Sequence, residues 1–264
     1  MTKVNMNKVE EFKSECLANV TDYSKDESWQ LASKKWLSRA FDQKFMYNFT
    51  ALGRPIIQLP NDIVAIQELI WEVKPDLIIE TGIAHGGSLI LSASMLALLD
   101  VCEAIENGTI LDPKNSDRKV LGIDIDIREH NKEAIENHPM FNYIQMIEGS
   151  SVDQKIIRQV QNFSQDYNRI MVCLDSNHTH EHVLAELEAY APLTSTGSYC
   201  VVFDTIVEDM PEKTFPNRPW APNNSPKSAV REYLKNHSEF EVDTIIDDKL
   251  MISVAPNGYL KKIC

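Results

Sequence analysis

No block of clustered lysine and arginine occurs in this chain, and the basic side chains are outnumbered: 26 Lys and Arg stand against 39 Asp and Glu, a formal net charge of −13 over 264 residues. A nucleic-acid surface needs a basic stripe to displace condensed counterions, so no nucleic-acid partner is expected. An unbroken run of eighteen apolar residues is also missing, which argues against a membrane span. Residues 1–20 lack the apolar core of a signal peptide. Cysteine pairs at CxxC spacing are absent. The five cysteines, Cys16, Cys102, Cys173, Cys200 and Cys264, are an odd set, and Cys173 and Cys200 sit in apolar runs that suit reduced core thiols. These absences together point to a reducing, cytoplasmic setting.

Glycine and proline are missing from the first fifty residues, where Trp36, Ala40, Phe41 and Met46 punctuate a polar background. Residues 1–52 therefore read as a helical arm, suited to a lid or to contacts in a homo-oligomer. Gly53-Arg54-Pro55 breaks the chain and opens the main domain, residues 53–264. Ile63, Ile66, Leu69 and Ile70 then follow helical spacing.

From Asp76 short apolar strands alternate with helices. Strands are expected over 76–80, 119–124, 143–148, 169–175 and 199–204, and helices over 88–99, 131–137, 152–162 and 182–191. The polar stretch 102–118 reads as a loop. Such alternation requires right-handed crossovers and a doubly wound, mostly parallel α/β sheet. Segments 239–246 and 250–254 look like a late hairpin around Asp247-Asp248. A parallel core with an antiparallel end is the Rossmann-like strand pattern of class I methyltransferases. The stretch 211–226 holds five prolines and Trp220, a long loop of the kind that is often functional.

Four clusters carry chemistry. In Glu80-Thr-Gly82-Ile-Ala-His-Gly86-Gly87-Ser88 a strand runs through a glycine turn into a helix, at the strand end where open α/β sheets bind ligands. The spacing is not that of a dinucleotide fold. A carboxylate before the glycines suits a cationic amino-acid group and would repel a pyrophosphate. Asp124 closes the next strand, where an acid can accept ribose hydroxyls. Glu148-Gly149-Ser150-Ser151 ends the third, with small polar groups that can line an adenine pocket. Asp175-Ser-Asn177-His178-Thr-His180-Glu181-His182 follows the fourth and is the densest polar cluster in the chain. Asp175 and Asp204, on adjacent strand tips, can hold a hard cation such as Mg²⁺, while His178 and His180 resemble an H-x-H zinc pair.

Residues 55–260 resemble the cephalosporin hydroxylase/rhamnosyl O-methyltransferase family of class I methyltransferases. The resemblance rests on ETGIAHGGS, GIDIDIR, IEGSS, LDSNHTHEHVLAELEAYAPL, GSYCVVFDTIVEDMP, RPWAPNNSP and VAPNGYL. It implies S-adenosylmethionine as cofactor, with Glu80, Gly82 and Gly86 around the methionine part, Asp124 on the ribose and Ser151 near the adenine; Ser88 and Asp175 are expected to border the same cofactor site. It implies Mg²⁺ held by Asp175 and by a Glu-Asp pair ending the fifth strand. Here that pair is Phe203-Asp204, so either water or Glu208 completes the shell, or the metal is weak or absent. The implied reaction is methyl transfer to a hydroxyl of a sugar, a sugar nucleotide or another polar small molecule, with Asp175, His178 and Asp204 as catalytic groups. The rival readings are a metal-dependent hydroxylase or hydrolase built on Asp175, His178 and His180, and a cofactor-binding module without turnover.

Overall fold

The computed structural model describes the backbone from residue 3 and the side chains from residue 7, through residue 264. Helices α1 (Lys3–Tyr23) and α2 (Glu27–Asp42) form the arm. Asp26 caps α2 by accepting the Trp29 N–H, and Leu37 and Ala40 turn inward and are buried. A short antiparallel hairpin follows, β1 (Phe49–Ala51) and β2 (Arg54–Ile56), turning at Gly53. The sequence reading has only a chain break here.

Helix α3 (Pro60–Val73) leads into the alternating core: β3 (Leu77–Thr81), α4 (Gly87–Asn107), β4 (Lys119–Asp124), α5 (Glu129–Glu136), β5 (Ile144–Glu148), α6 (Gln154–Ser164), β6 (Ile170–Leu174), α7 (His180–Tyr190) and β7 (Tyr199–Val202). The chain ends with α8 (Pro226–Tyr233), β8 (Phe240–Val242), α9 (Thr244–Leu250) and β9 (Tyr259–Lys262). The seven-stranded sheet runs β5-β4-β3-β6-β7-β9-β8. Only the β7–β9 and β8–β9 pairings are antiparallel. This is the expected doubly wound, mostly parallel sheet.

Helices cover both faces, so the central strands are continuous apolar runs. Ile78, Val120, Met171 and Val201 pack on one face with α3 and α4. Leu77, Ile79, Leu121, Val172 and Cys200 pack on the other with α6, α7 and α8. Each fully buried Leu or Ile contributes about 1.5–3 kcal/mol. Helix α4 is long and apolar enough to span a membrane by length and composition, yet Leu89, Ile90, Ala93 and Leu96 bury one flank in the protein core.

Two boundaries differ from the sequence reading. Helix α4 runs on to Asn107 and stops at Gly108 in the left-handed region, so the loop before β4 is shorter than expected. The late hairpin around Asp247-Asp248 is replaced by helix α9. Asp243 caps that helix by accepting the Ile245 N–H, and Ile246 and Leu250, four residues apart, face inward. The antiparallel pair does exist, but β8 meets β9 across this helix rather than across a turn.

Candidate active site

Strand order reverses at β3 and β6, so the carboxyl ends of these neighbours flank the crevice where open sheets take their ligand. Gly82 leaves β3 at φ +90°, and a Cβ there would lie 2.1 Å from the Asp175 carbonyl oxygen. Only glycine allows this approach. Gly86 (φ +81°) is the N-cap of α4, where a side chain would strike Ile135. Gly86 thus shapes the turn, while Gly82, Gly87 and Ser88 line the cleft beside it.

The turn is braced from outside. Asp124 Oδ2 accepts the N–H groups of Ile83 (2.8 Å) and Ala84 (3.2 Å), and Oδ1 accepts that of Asp126 (3.1 Å). Asp124 is therefore first a turn-former, and its remaining lone-pair capacity is what a ribose hydroxyl can use. Arg54 on β2 donates to the His85 carbonyl (2.7 Å) and to Asn131 Oδ1 (3.0 Å), and Asn131 donates to the Ala84 carbonyl (2.9 Å). Arg54 and Asn131 were not singled out in the sequence, because the hairpin that delivers Arg54 is too short to read.

Glu80 is only 3 % exposed. Its Oε1 accepts the Ser88 hydroxyl, and burial pushes its pKa up to about 7. Glu80 lies behind Ser88 and does not itself line the cleft; Gln58 does, and its buried Oε1 has no hydrogen-bond partner among the described residues. A buried carboxylate and an orphaned amide oxygen are what the ammonium of a methionine moiety would satisfy. Next to this cleft, a pocket of about 150 Å³ is lined by Gly82, Asp124, Ile125, Ser151 and His182. Ser151 Oγ and Ser176 Oγ both lie 3.1 Å from His182 Nε2, and Ser176 donates to the fully buried Glu186 (2.6 Å). The small polar lining and the exposed Ile125 side chain suit an adenine ring.

Asp175, His178 and Asp204 converge, with ligand atoms within 4.8 Å of one another. His178 Nε2 is 3.1 Å from Asp204 Oδ2. Burial, and then the charge of Asp204, push Asp175 well above the ordinary carboxylate range. A divalent cation would relieve that repulsion, so the donor set fits a metal.

Two site expectations need correction, at Glu208 and at His180. Glu208 does not complete the cluster: its carboxylate accepts Asn223 N–H (2.8 Å), Ser225 Oγ (2.6 Å) and Arg231 Nη1 (3.1 Å). His180 is turned to α8, with Nδ1 at 2.8 Å from Ser228 Oγ and Nε2 at 3.2 Å from Glu232, so no H-x-H pair forms. Phe203 faces the core with Tyr199 and Val201, the alternation expected along a strand. The third group at the cluster is His178, given in the sequence reading both as a catalytic group and as half of an H-x-H pair.

Beyond this cluster opens a chamber of about 700 Å³. Its walls come from the end of the arm (Phe41, Tyr47), the loop after β4 (Arg128) and the proline-rich loop (Arg218, Trp220).

This sheet order, with a glycine turn after β3 and an acid after β4, defines a class I methyltransferase. Residues 43–263 match the family model Rhamnosyl O-methyltransferase/CmcI, and the chain belongs to that family. Over 202 residues it is 28 % identical to a rhamnosyl O-methyltransferase of Mycobacterium bovis (strain BCG / Pasteur 1173P2), covering 76 % of this chain and 72 % of the relative. Over 218 residues it is 27 % identical to one of Mycobacterium leprae (strain TN), covering 82 % and 84 %. The solved structure "cmcI-D160 Mg-SAM" shares the fold, with a TM-score of 0.53 at 18 % identity over 83 % of this chain and 78 % of that one.

Proposed function

We propose that this protein transfers the methyl group of S-adenosylmethionine to a hydroxyl of a sugar or sugar-bearing small molecule, with a divalent cation at Asp175, His178 and Asp204. The observation that carries this reading is the meeting of three cavities. Gly82 and Asp175 border the methionine-side cleft, Gly82 and Ser176 border the adenine-side pocket, and Ala84 and Ser176 extend to the chamber over the acid cluster. A methyl donor seated along the first two would present its sulfonium to an acceptor in the third.

Methyl transfer is an in-line displacement at carbon, so alignment supplies much of the rate. The glycine turn, braced by Asp124, Arg54 and Asn131, holds the donor side rigid. A divalent cation bound at the cluster would lower the pKa of the acceptor hydroxyl and fix its oxygen. Asp175 borders the donor cleft and stands at the cluster where the acceptor hydroxyl must sit, so without a cation there it is the group placed to take the hydroxyl proton. Phe41, Tyr47 and Trp220 place aromatic rings on the chamber wall.

The sugar acceptor is supported by the names of the mycobacterial relatives. A homo-oligomer is supported by Phe12, Leu17 and Trp36, which the arm exposes, and light scattering would test it. For the reaction itself, calorimetry with S-adenosylhomocysteine and labelled-methyl incorporation into a panel of sugar acceptors are the tests. Tight binding with incorporation into a sugar is expected. Absence of S-adenosylhomocysteine binding would end this reading.

A further inference from the structure

Three basic side chains that form no ion pair among the described residues meet in the chamber of an acidic protein. Against a net charge of −13, Lys44, Arg128 and Arg218 all line this one concavity, from three separate segments of chain. The ion pairs of lysine and arginine among the described residues engage other side chains, such as Arg118, Lys227, Arg231, Lys249 and Lys261. The carboxylates on the chamber lining are Asp42 on the rim and Asp204 on the floor, and His178 stands against the latter. Three cations around one concave surface repel each other, and low-dielectric walls focus their field on whatever enters.

Arg218 is also held in place. Its guanidinium lies 5.0 Å from the Trp220 ring centroid, a cation–π contact. Trp220 in turn meets the His178 ring edge-on at 4.6 Å. An ordered line thus runs from the acid cluster through His178 and Trp220 to a guanidinium, two ring contacts from the floor. That spacing suits one monosaccharide with its reacting hydroxyl at the cluster and a charged substituent at the other side. A guanidinium takes phosphate or carboxylate oxygens through a two-pronged donor set. Trp220 and the half-exposed Tyr47 ring offer flat surfaces to the C–H face of a pyranose.

We propose that the methyl acceptor is an anionic sugar, a glycosyl unit bearing a phosphate or a carboxylate that Arg218, Arg128 and Lys44 bind while its hydroxyl sits at Asp175, His178 and Asp204. The proposal rests on the O-methyltransferase reading above and deepens it. It is tested on the full chain saturated with S-adenosylhomocysteine, by calorimetric titration of glucose 1-phosphate, glucuronate and methyl glucoside. At least one anionic probe should bind at least about tenfold more tightly than the neutral glycoside. Preference for glucose 1-phosphate assigns a sugar phosphate or nucleotide, and preference for glucuronate assigns a uronate. Arg218→Gln and Arg128→Gln, both at exposed positions, should each weaken the preferred probe, by about tenfold for Arg218→Gln, without changing S-adenosylhomocysteine affinity. Equal affinities for the three probes, no binding of either anion at millimolar concentration, or unaltered anion affinity in both variants would overturn the proposal alone. Failure of the wild type to bind S-adenosylhomocysteine would overturn the parent reading, and this one with it.

Discussion

The imidazole Nε2 of His178 lies 3.1 Å from Asp204 Oδ2, and Asp175 closes the same cluster within 4.8 Å. One nitrogen donor and two carboxylates therefore meet in a cluster for which the family resemblance calls for three carboxylates. The exchange removes a negative charge and softens the donor set. Mg²⁺ prefers oxygen ligands, whereas imidazole suits later divalent metals.

Stripped of metal by chelator, the protein should therefore bind Mn²⁺ more tightly than Mg²⁺ in calorimetric titration. His178→Ala should lower Mn²⁺ affinity by about tenfold or more, on the scale of losing one donor. Equal affinity for the two ions, or an unaffected variant, would remove His178 from the shell.

Restoring the expected acid should not restore a ligand. Phe203 is 3 % exposed and packs in the cluster that holds Tyr199 and Val201. Phe203→Glu would lose the aromatic packing and bury a carboxyl. A destabilisation of about 3–5 kcal/mol is expected in urea unfolding, with no gain in Mg²⁺ affinity. Tighter Mg²⁺ binding in a stable variant would show that position 203 can turn toward the cluster.

Glu80 links pH to stability and to the cofactor. Burial raises its pKa from 4.5 to about 7, so between those values the folded state holds a proton that the unfolded state has released. Stability accordingly falls as pH rises from about 4.5 to about 7, by roughly 3 kcal/mol from this group. Glu80→Gln should flatten that part of the pH–stability curve and be more stable than wild type at pH 8. It should also weaken S-adenosylhomocysteine binding above pH 7, where wild-type Glu80 is charged. An unchanged pH profile would mean that Glu80 does not titrate there.

Asp124→Ala should act twice. It strips the acceptor from the Ile83 and Ala84 N–H groups, costing about 1–3 kcal/mol of stability, and it removes the carboxylate expected to take the ribose hydroxyls. S-adenosylhomocysteine affinity should fall by about tenfold or more. Wild-type affinity in calorimetry would take Asp124 out of the cofactor site.

The parallel core is legible in the sequence because helices cover both sheet faces, which makes each strand a continuous apolar run ending in a polar cluster. That reading brings Glu80, Gly82, Asp124 and Asp175 to neighbouring strand ends. It misses α9 because Ile245-Ile246 looks strand-like, and the cap at Asp243 is a three-residue signal that short windows overlook. The inward face of Phe203 is implicit in the alternation Tyr199, Val201, Phe203. His178 as partner of Asp204 is not implicit, because the loop after β6 sets its direction. The same holds for Lys44, Arg128 and Arg218, which lie 84 and 90 residues apart in sequence and meet only when three loops converge.

The arm and the proline-rich loop meet across the chamber through Phe41 and Phe215, whose rings lie 5.7 Å apart at 88°. Edge-to-face pairs of this kind are worth about 0.5–1.5 kcal/mol beyond their burial. Leu37 and Met46, on either side of Phe41, anchor this end of the arm in the core, so Phe41→Ala should loosen the contact without releasing the arm. Hydrogen exchange should then quicken over 211–220, the stretch that carries Arg218 and Trp220. Probes of the chamber should bind more weakly, while S-adenosylhomocysteine affinity stays the same, because neither ring lines the donor cleft or the pocket beside it. Unchanged exchange over 211–220 would show that the loop holds its position without the arm, and the arm would lose its role as a wall of the acceptor chamber.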